Sequence, residues 1–281
     1  MLIFKKRIEI QSYLTKCAGL GKSLGFVPTM GALHEGHISL IRNSKNQCEV
    51  TICSIFVNPL QFNDKNDLEK YPRMPEKDIE LLSKAECDVL FLPEFEEVYD
   101  NNVKFELNFG SLDKILEGKH RPGHFDGVAQ VVKRLFDIVK PTKAFFGSKD
   151  FQQVMIVKSM VNQTKLKIEV ISCPILREQD GLAMSSRNTL MTFQERKVSS
   201  SIPQLMEKAK TIALKNGIDS AKKLIDYEIA KNPLMKLDYY EICNPENLET
   251  LSKLQDGKPA LSLIALYVGK IRLIDNLILK G

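Results

Sequence analysis

The sequence has no tryptophan and only four histidines, and its six cysteines (Cys17, Cys48, Cys53, Cys87, Cys173 and Cys243) include no C-x-x-C pair. Without paired spacing, and with several of the six inside apolar runs, the cysteines read as reduced, buried thiols of a cytoplasmic protein. No apolar run approaches the roughly 20 residues that a bilayer-spanning helix needs. The opening Met1-Leu2-Ile3-Phe4-Lys5-Lys6-Arg7 puts charge after a very short apolar run, the reverse of a secretory leader. Internal repeats and low-complexity segments are also missing. The net charge of +5 and pI near 8.7 suit a protein that handles polyanions. These charges are dispersed and form no basic stripe, which argues against a nucleic-acid surface.

A chain of 281 residues with 43% apolar residues has room for one large or two ordinary domains. Residues 49–57 are rich in Val, Ile and Phe and predict a buried strand; 24–27, 88–92, 143–146 and 167–172 read likewise. Between them, 75–85, 125–139 and 150–162 carry helical periodicity, most clearly Val128, Val131, Val132, Leu135, Phe136 and Val139. Strands and helices in alternation predict an α/β fold, a doubly wound, Rossmann-like parallel sheet over residues 1–175 that binds ligands beyond the carboxyl ends of its strands. After Pro174 the pattern changes. Residues 177–188 read as a polar connecting loop, 193–229 as mostly helical, and 238–242, 261–268 and, more weakly, 270–279 as strands. This predicts a smaller α+β C-terminal domain over 176–281, with one continuous domain as the alternative.

Four segments carry chemistry. The first is Pro28-Thr29-Met30-Gly31-Ala32-Leu33-His34-Glu35-Gly36-His37, a strand end, a glycine turn and a helix start. Two histidines three apart share one face of a first helical turn. A helix start offers unpaired N–H groups and a positive dipole end, so imidazoles there suit phosphate oxygens. No other His or Cys stands near at zinc-ligand spacing. The second is Phe146-Gly147-Ser148-Lys149-Asp150-Phe151-Gln152-Gln153, where Lys149 offers a mobile charge to phosphate and Asp150 is placed to cap a helix. The third is Met184-Ser185-Ser186-Arg187-Asn188, whose hydroxyls and guanidinium suit a triphosphate. The fourth is Asn58-Pro59-Leu60-Gln61-Phe62, where the Gln61 amide suits a substrate with hydroxyl and carboxylate groups. Arg121 and His124, in Arg121-Pro122-Gly123-His124-Phe125-Asp126-Gly127, either reach the site or only order their loop.

The His-Glu-Gly-His string resembles the HIGH signature of nucleotidyltransferases and class I aminoacyl-tRNA synthetases, with Glu35 at its second position, and Met184–Arg187 resembles their Lys-Met-Ser-Lys-Ser loop. The longer strings, together with Tyr71-Pro72-Arg73 and Asp180–Asn188, resemble the pantoate–β-alanine ligase family over nearly the whole chain. That resemblance implies ATP as co-substrate, Mg²⁺, and condensation of (R)-pantoate with β-alanine through a pantoyl adenylate, releasing AMP and pyrophosphate. It places ATP on Met30, Gly31, Ala32, Leu33, His34, Glu35, Gly36 and His37, on Gly147, Ser148, Lys149 and Asp150, and on Leu176, Met184, Ser185, Ser186 and Arg187. It makes Gln61 and Gln153 the pantoate residues, sets β-alanine beside Gln61, and labels His37 the proton donor, with His34 and Lys149 as its catalytic companions. It also implies a homodimer, and it makes the C-terminal domain a candidate lid. The acidic run tied to Mg²⁺ reads Pro75-Glu76-Lys77-Asp78 here and is interrupted by Lys77, so no metal ligand is assigned.

Three competing readings remain at this level. An adenylyltransferase acting on a phosphorylated substrate is disfavoured by the two neutral glutamines. A nucleotide-binding module without chemistry leaves the histidines and Ser185-Ser186-Arg187 unexplained. An RNA-binding synthetase lacks an anticodon-reading domain.

Overall fold

The structure is a computed structural model that describes residues 1–63, 65–99 and 104–280. The chain divides into two units, Met1–Pro174 and Ile175–Gly281. The first unit runs β1 (Leu2–Phe4), α1 (Arg7–Gly19), β2 (Leu24–Thr29), α2 (Glu35–Lys45), β3 (Val50–Ile55), α3 (Lys65–Lys70), α4 (Pro75–Lys84) and β4 (Val89–Phe91). It continues with α5 (Phe95–Val98), α6 (Glu117–His120), α7 (His124–Val139), β5 (Lys143–Gly147), α8 (Phe151–Gln163) and β6 (Glu169–Cys173).

Its six strands form one parallel sheet in the order β1-β4-β3-β2-β5-β6. From β2 the chain moves outward through β3 to β4, then returns to the other side of β2 for β5 and β6. The order therefore reverses between β2 and β5, where an open α/β sheet presents its ligand crevice. Only Gly25↔Lys143 and Phe26↔Ala144 pair these two strands, so they part company toward their carboxyl ends.

Strand side chains alternate between two cores, as the two-residue period requires. Phe26, Ile52, Phe91 and Phe146 face one layer, which α1, α7 and α8 cover with Ile10, Leu14, Phe136 and Ile156. Val27, Cys53, Leu90 and Phe145 face the other, covered by α2 and α4 through Leu40, Ile41 and Leu82. Helices on both faces make every central strand apolar on both sides, so these strands read as continuous hydrophobic runs. Helix α7 shows the same logic in helical form, with most of its sixteen residues buried.

The second unit contains α9 (Phe193–Ser199), α10 (Ile202–Asn216), α11 (Ile218–Ala230), β7 (Met235–Cys243), β8 (Ala260–Val268) and β9 (Ile271–Lys280). Its three strands pair antiparallel in the order β7-β8-β9, and its core joins Met206, Ala209, Ile225, Ile242, Ile264 and Leu266. The weakly patterned stretch near the C-terminus is thus a full strand of the small sheet. Residues 177–188, expected to be a connecting loop, instead include a short hairpin closed by an Arg177↔Ala183 bridge, followed by a 3-10 turn at Ser186–Leu190. The β1 and α1 elements have no counterpart in the sequence pattern. All six cysteines are buried and unpaired. Among the described residues no helix is long and apolar enough to cross a membrane.

Candidate active site

The turn that follows β2 is shaped by its own neighbours. Gly31 has φ +81° and Ala32 φ +49°, both left-handed, and the second is costly for a residue with a Cβ. The carboxylate of Asp78, at the start of α4, accepts the main-chain N–H groups of Ala32 at 2.9 Å and Leu33 at 2.7 Å. Burial pushes the Asp78 carboxyl up, and these two N–H bonds oppose the shift. Asp78, which the sequence places in an acidic run tied to metal binding, is thus engaged by the backbone of the turn.

Helix α2 then opens with a reciprocal cap. His34 is the N-cap, in extended conformation, and its Nδ1 accepts the Gly36 N–H at 3.1 Å. His37 Nδ1 accepts the His34 N–H at 3.3 Å. The His37 and Ile38 N–H groups donate to the His34 carbonyl. The sequence expectation of an unpaired first turn is corrected for Gly36, His37 and Ile38, whose N–H groups are already paired. The two rings lie 4.1 Å apart. Because each Nδ1 accepts, each neutral ring carries its proton on Nε2 and is a hydrogen-bond donor there. Both rings are held neutral at physiological pH. Burial, then the Lys149 charge, brings His34 down to about 4, and burial, His34 and Lys149 hold His37 well below the usual range.

The influence of Lys149 on both rings means that the turn after β5 meets the start of α2 at the sheet's reversal point. Gly147–Asp150 forms that turn, with the Ser148 hydroxyl donating to the Cys173 carbonyl at 2.5 Å. Asp150 occupies the N-cap position of α8, but its side chain makes no capping hydrogen bond, which corrects the role expected for it. Of the adjoining glutamines, Gln152 is buried and bonds to Leu112, Ile115 and Glu117, so it orders that segment. Gln153 is half-buried, and among the described residues its amide has no hydrogen bond.

Gln61 lies in a 3-10 turn, Pro59–Gln61, beyond β3, and its Nε2 sits 2.9 Å from the Met30 sulfur, beside the histidine turn. Five residues outside the expected ATP and pantoate sets fix its place. Asn58 is fully buried, accepts the Tyr99 hydroxyl at 3.0 Å, and donates to the Gly127 carbonyl at 3.1 Å and to Gln61 Oε1 at 3.3 Å. With Oε1 so used, the Gln61 NH₂ faces the Met30 sulfur as a donor. His124 Nδ1 lies 2.8 Å from the Gln61 carbonyl, and Arg121 Nη1 lies 3.0 Å from His124 Nε2. Since guanidinium only donates, Nε2 accepts and Nδ1–H donates to Gln61. Arg121 and His124 therefore order the Gln61 turn. The Asn58-Pro59 step after a β-rich run is the one local signal for Asn58; Tyr99, Gly127 and Asp78 act over distances that no local pattern displays.

In the second unit, Met184 donates its N–H to the Leu176 carbonyl at 3.1 Å, so these two candidate residues stand side by side at the hairpin's open end. Ser185 caps the following turn by accepting the Arg187 N–H at 3.3 Å, and Ser186 is buried.

The family model described as Pantoate-beta-alanine ligase matches residues 2–278. The chain belongs to that family. A Porphyromonas gingivalis pantothenate synthetase is 43% identical over 277 residues, covering 99% of each chain, and one from Caldicellulosiruptor bescii is 45% identical over 283 residues, covering all of both. The crystal structure of pantothenate synthetase from Thermus thermophilus superposes with a TM-score of 0.91 at 37% identity, covering both chains in full. A Francisella tularensis pantoate-beta-alanine ligase, solved as a complex with beta-gamma ATP and beta-alanine, gives a TM-score of 0.84 at 35% identity, over 100% of this chain and 99% of that one.

Proposed function

We propose that the protein joins pantoate to β-alanine with consumption of ATP, forming pantothenate by way of an enzyme-bound pantoyl adenylate. The observation that carries this reading is the meeting of two neutral imidazoles and the Lys149 ammonium at one sheet reversal, with the Gln61 amide set against Met30 of the same turn. Family membership, and the beta-gamma ATP and beta-alanine in the complex of the Francisella relative, support the choice of substrates.

In the first half-reaction the pantoate carboxylate attacks the α-phosphorus, and pyrophosphate leaves. A carboxylate with an ordinary pKa near 4 is already ionised, so no base is required. The site's work is to neutralise charge and align the reactants. Nε2–H of His34 and of His37 donate to phosphate oxygens, and Lys149 supplies the positive charge. His37 acts in this step as a hydrogen-bond donor, since its Nδ1 is engaged and its ring uncharged. Gln61 and Gln153 bind the hydroxy acid. In the second half-reaction β-alanine, held beside Gln61, first gives its ammonium proton to water. The free amine attacks the acyl carbon, the C–O bond to AMP breaks, and the surplus proton on nitrogen passes to the departing phosphate or to water.

The ATP residues in this reading are Met30–His37 and Gly147–Asp150 of the first unit, and Leu176 and Met184–Arg187 of the second. Mg²⁺ accompanies the triphosphate. Among the described residues no group of three His, Cys, Asp or Glu side chains stands ready to hold a metal, and Asp78 is committed to the turn. No step is therefore routed through the ion. A homodimer in the cytoplasm, with residues 176–281 as a separate smaller domain, belongs to the same reading.

Pyrophosphate exchange into ATP, measured without β-alanine, tests the proposal. Exchange must depend on pantoate. Exchange that ignores pantoate would reject the substrate and keep the adenylation. His37→Ala must slow exchange; slowing confined to the amine step would reject the phosphate role of that ring.

A further inference from the structure

The segment Met184–Arg187 stands at the end of a hairpin whose stem carries an unusual fastening. The stem is closed by Met184 N–H to the Leu176 carbonyl, the Arg177↔Ala183 bridge, and Glu178 N–H to the Leu182 carbonyl at 2.8 Å. Its tip is turned by Gly181 N–H to the Glu178 carbonyl at 2.9 Å. The guanidinium of Arg177 binds both carboxylate oxygens of Asp275 on β9, at 2.7 and 3.0 Å. The same guanidinium donates across the hairpin to the Gly181 carbonyl at 3.0 Å and reaches the Asn276 carbonyl at 3.4 Å. Asp275 is only 4% exposed and also accepts the Asn276 N–H at 2.8 Å. Past the segment, the Asn188 amide donates back to the Ala183 carbonyl at 3.2 Å. Both ends of Ser185-Ser186-Arg187 are therefore tied to one stem, and the stem is tied to a strand of the sheet.

We propose that the Arg177–Asp275 pair is a positioning device for nucleotide binding. It holds the hairpin so that Leu176 and Met184–Arg187 present a preformed surface to the triphosphate. A two-pronged contact between a planar fork and a buried carboxylate fixes orientation as well as distance, which a single hydrogen bond does not. Ordering these residues before ATP arrives removes that entropic cost from binding. Arg177 and Asp275 touch no substrate in this scheme and act through the stem. The inference rests on the proposed assignment of Met184–Arg187 to ATP.

Pyrophosphate exchange on the full chain, with ATP and pantoate varied separately, tests it in Asp275→Asn, Arg177→Met and Arg177→Lys, with Ser185→Ala alongside. Calorimetric melting establishes that each variant is folded at the assay temperature. Asp275→Asn and Arg177→Met should raise KM for ATP about ten-fold or more, as for one lost charge-assisted contact, with KM for pantoate nearly unchanged. Arg177→Lys keeps the charge without the fork and should restore part of the loss. An unchanged KM for ATP in Arg177→Met and Asp275→Asn, or equal rises in both KM values, would overturn the positioning role if Ser185→Ala does weaken ATP. If Ser185→Ala also leaves ATP untouched, the assignment of the segment to ATP falls, and this proposal falls with it. Should Asp275→Asn fail to fold, Arg177→Met and its partial rescue by Arg177→Lys decide, because a purely structural fastening leaves the KM ratio where it was.

Discussion

Asp78 and Ala32, 46 positions apart in the chain, are joined by a 2.9 Å hydrogen bond that keeps a left-handed alanine in the turn before the histidines. Replacing Asp78 by Asn keeps the shape but sets an NH₂ against one of two main-chain N–H donors. The buried, unmatched donors should lower stability by about 1–3 kcal/mol, read from the urea midpoint, and raise KM for ATP. A variant with wild-type midpoint and KM would show that the turn holds itself.

Gly127→Ala probes the other substrate. A Cβ at this position would lie 2.8 Å from the Gln61 Cα and still closer to the Leu60 carbonyl, both main-chain atoms that cannot swing aside. Overpacking of this kind costs about 1–3 kcal/mol. The shift falls on Gln61, so steady-state assays should show KM for pantoate rising well above any change for ATP.

Asn58 and Tyr99 give a graded pair. Tyr99→Phe removes one donor from Asn58 and should cost about 1 kcal/mol with modest loss of activity. Asn58→Asp turns the nitrogen that serves the Gly127 carbonyl and Gln61 Oε1 into an oxygen, with a buried charge facing two acceptors. Its destabilisation should exceed that of Tyr99→Phe by about 2 kcal/mol or more. Equal effects in chemical denaturation would mean that Asn58 contributes packing alone.

The depressed imidazoles make both folding and binding respond to acid. Burial brings His34 down to about 4 in the folded chain from near 6.5 when unfolded, and His37 is lowered in the same sense. The unfolded chain binds more protons across that window, so their contribution to stability is complete above about pH 6.5 and is lost as pH falls toward 4. A triphosphate set against the rings favours their charged forms, so ATP binding at about pH 5.5 should take up protons. Calorimetry in two buffers of different ionisation enthalpy measures that uptake, which should largely vanish in a His34→Gln, His37→Gln double variant. Equal uptake with and without the rings would remove them from the phosphate contacts.

The strands and long helices are legible in the sequence because each is fixed by its own residues. Phe26 and Val27 alternate faces, and Val128 to Val139 repeats at helical spacing, so the doubly wound sheet follows from local pattern. The segments bearing His34, His37 and Lys149 are equally visible, as glycine turns between strand and helix. Helix α1 is hidden because it buries only Ile10, Leu14 and Cys17 amid polar neighbours. Asp78 reads only as part of an interrupted acidic run tied to Mg²⁺, because its partners Ala32 and Leu33 stand more than forty positions away in the chain. The pairing of the first-turn N–H groups of α2 is masked for a related reason: a histidine at an N-cap is an uncommon acceptor, and nothing in the string says which nitrogen faces inward.

The gap between β2 and β5 arises from strand order alone, with the aromatic core of Phe26, Phe136 and Phe146 lying beneath it. Strand pairing and the aromatic core draw on none of the proposed phosphate-holding side chains, although His34 and His37 also cap α2. The side chains of His34, His37 and Lys149 hang beyond the strand ends, and the sheet closes without them. A lineage of this chain can alter Gln61 and Gln153, which the proposed reading gives to the acid, and keep both the scaffold and the phosphate-holding tips.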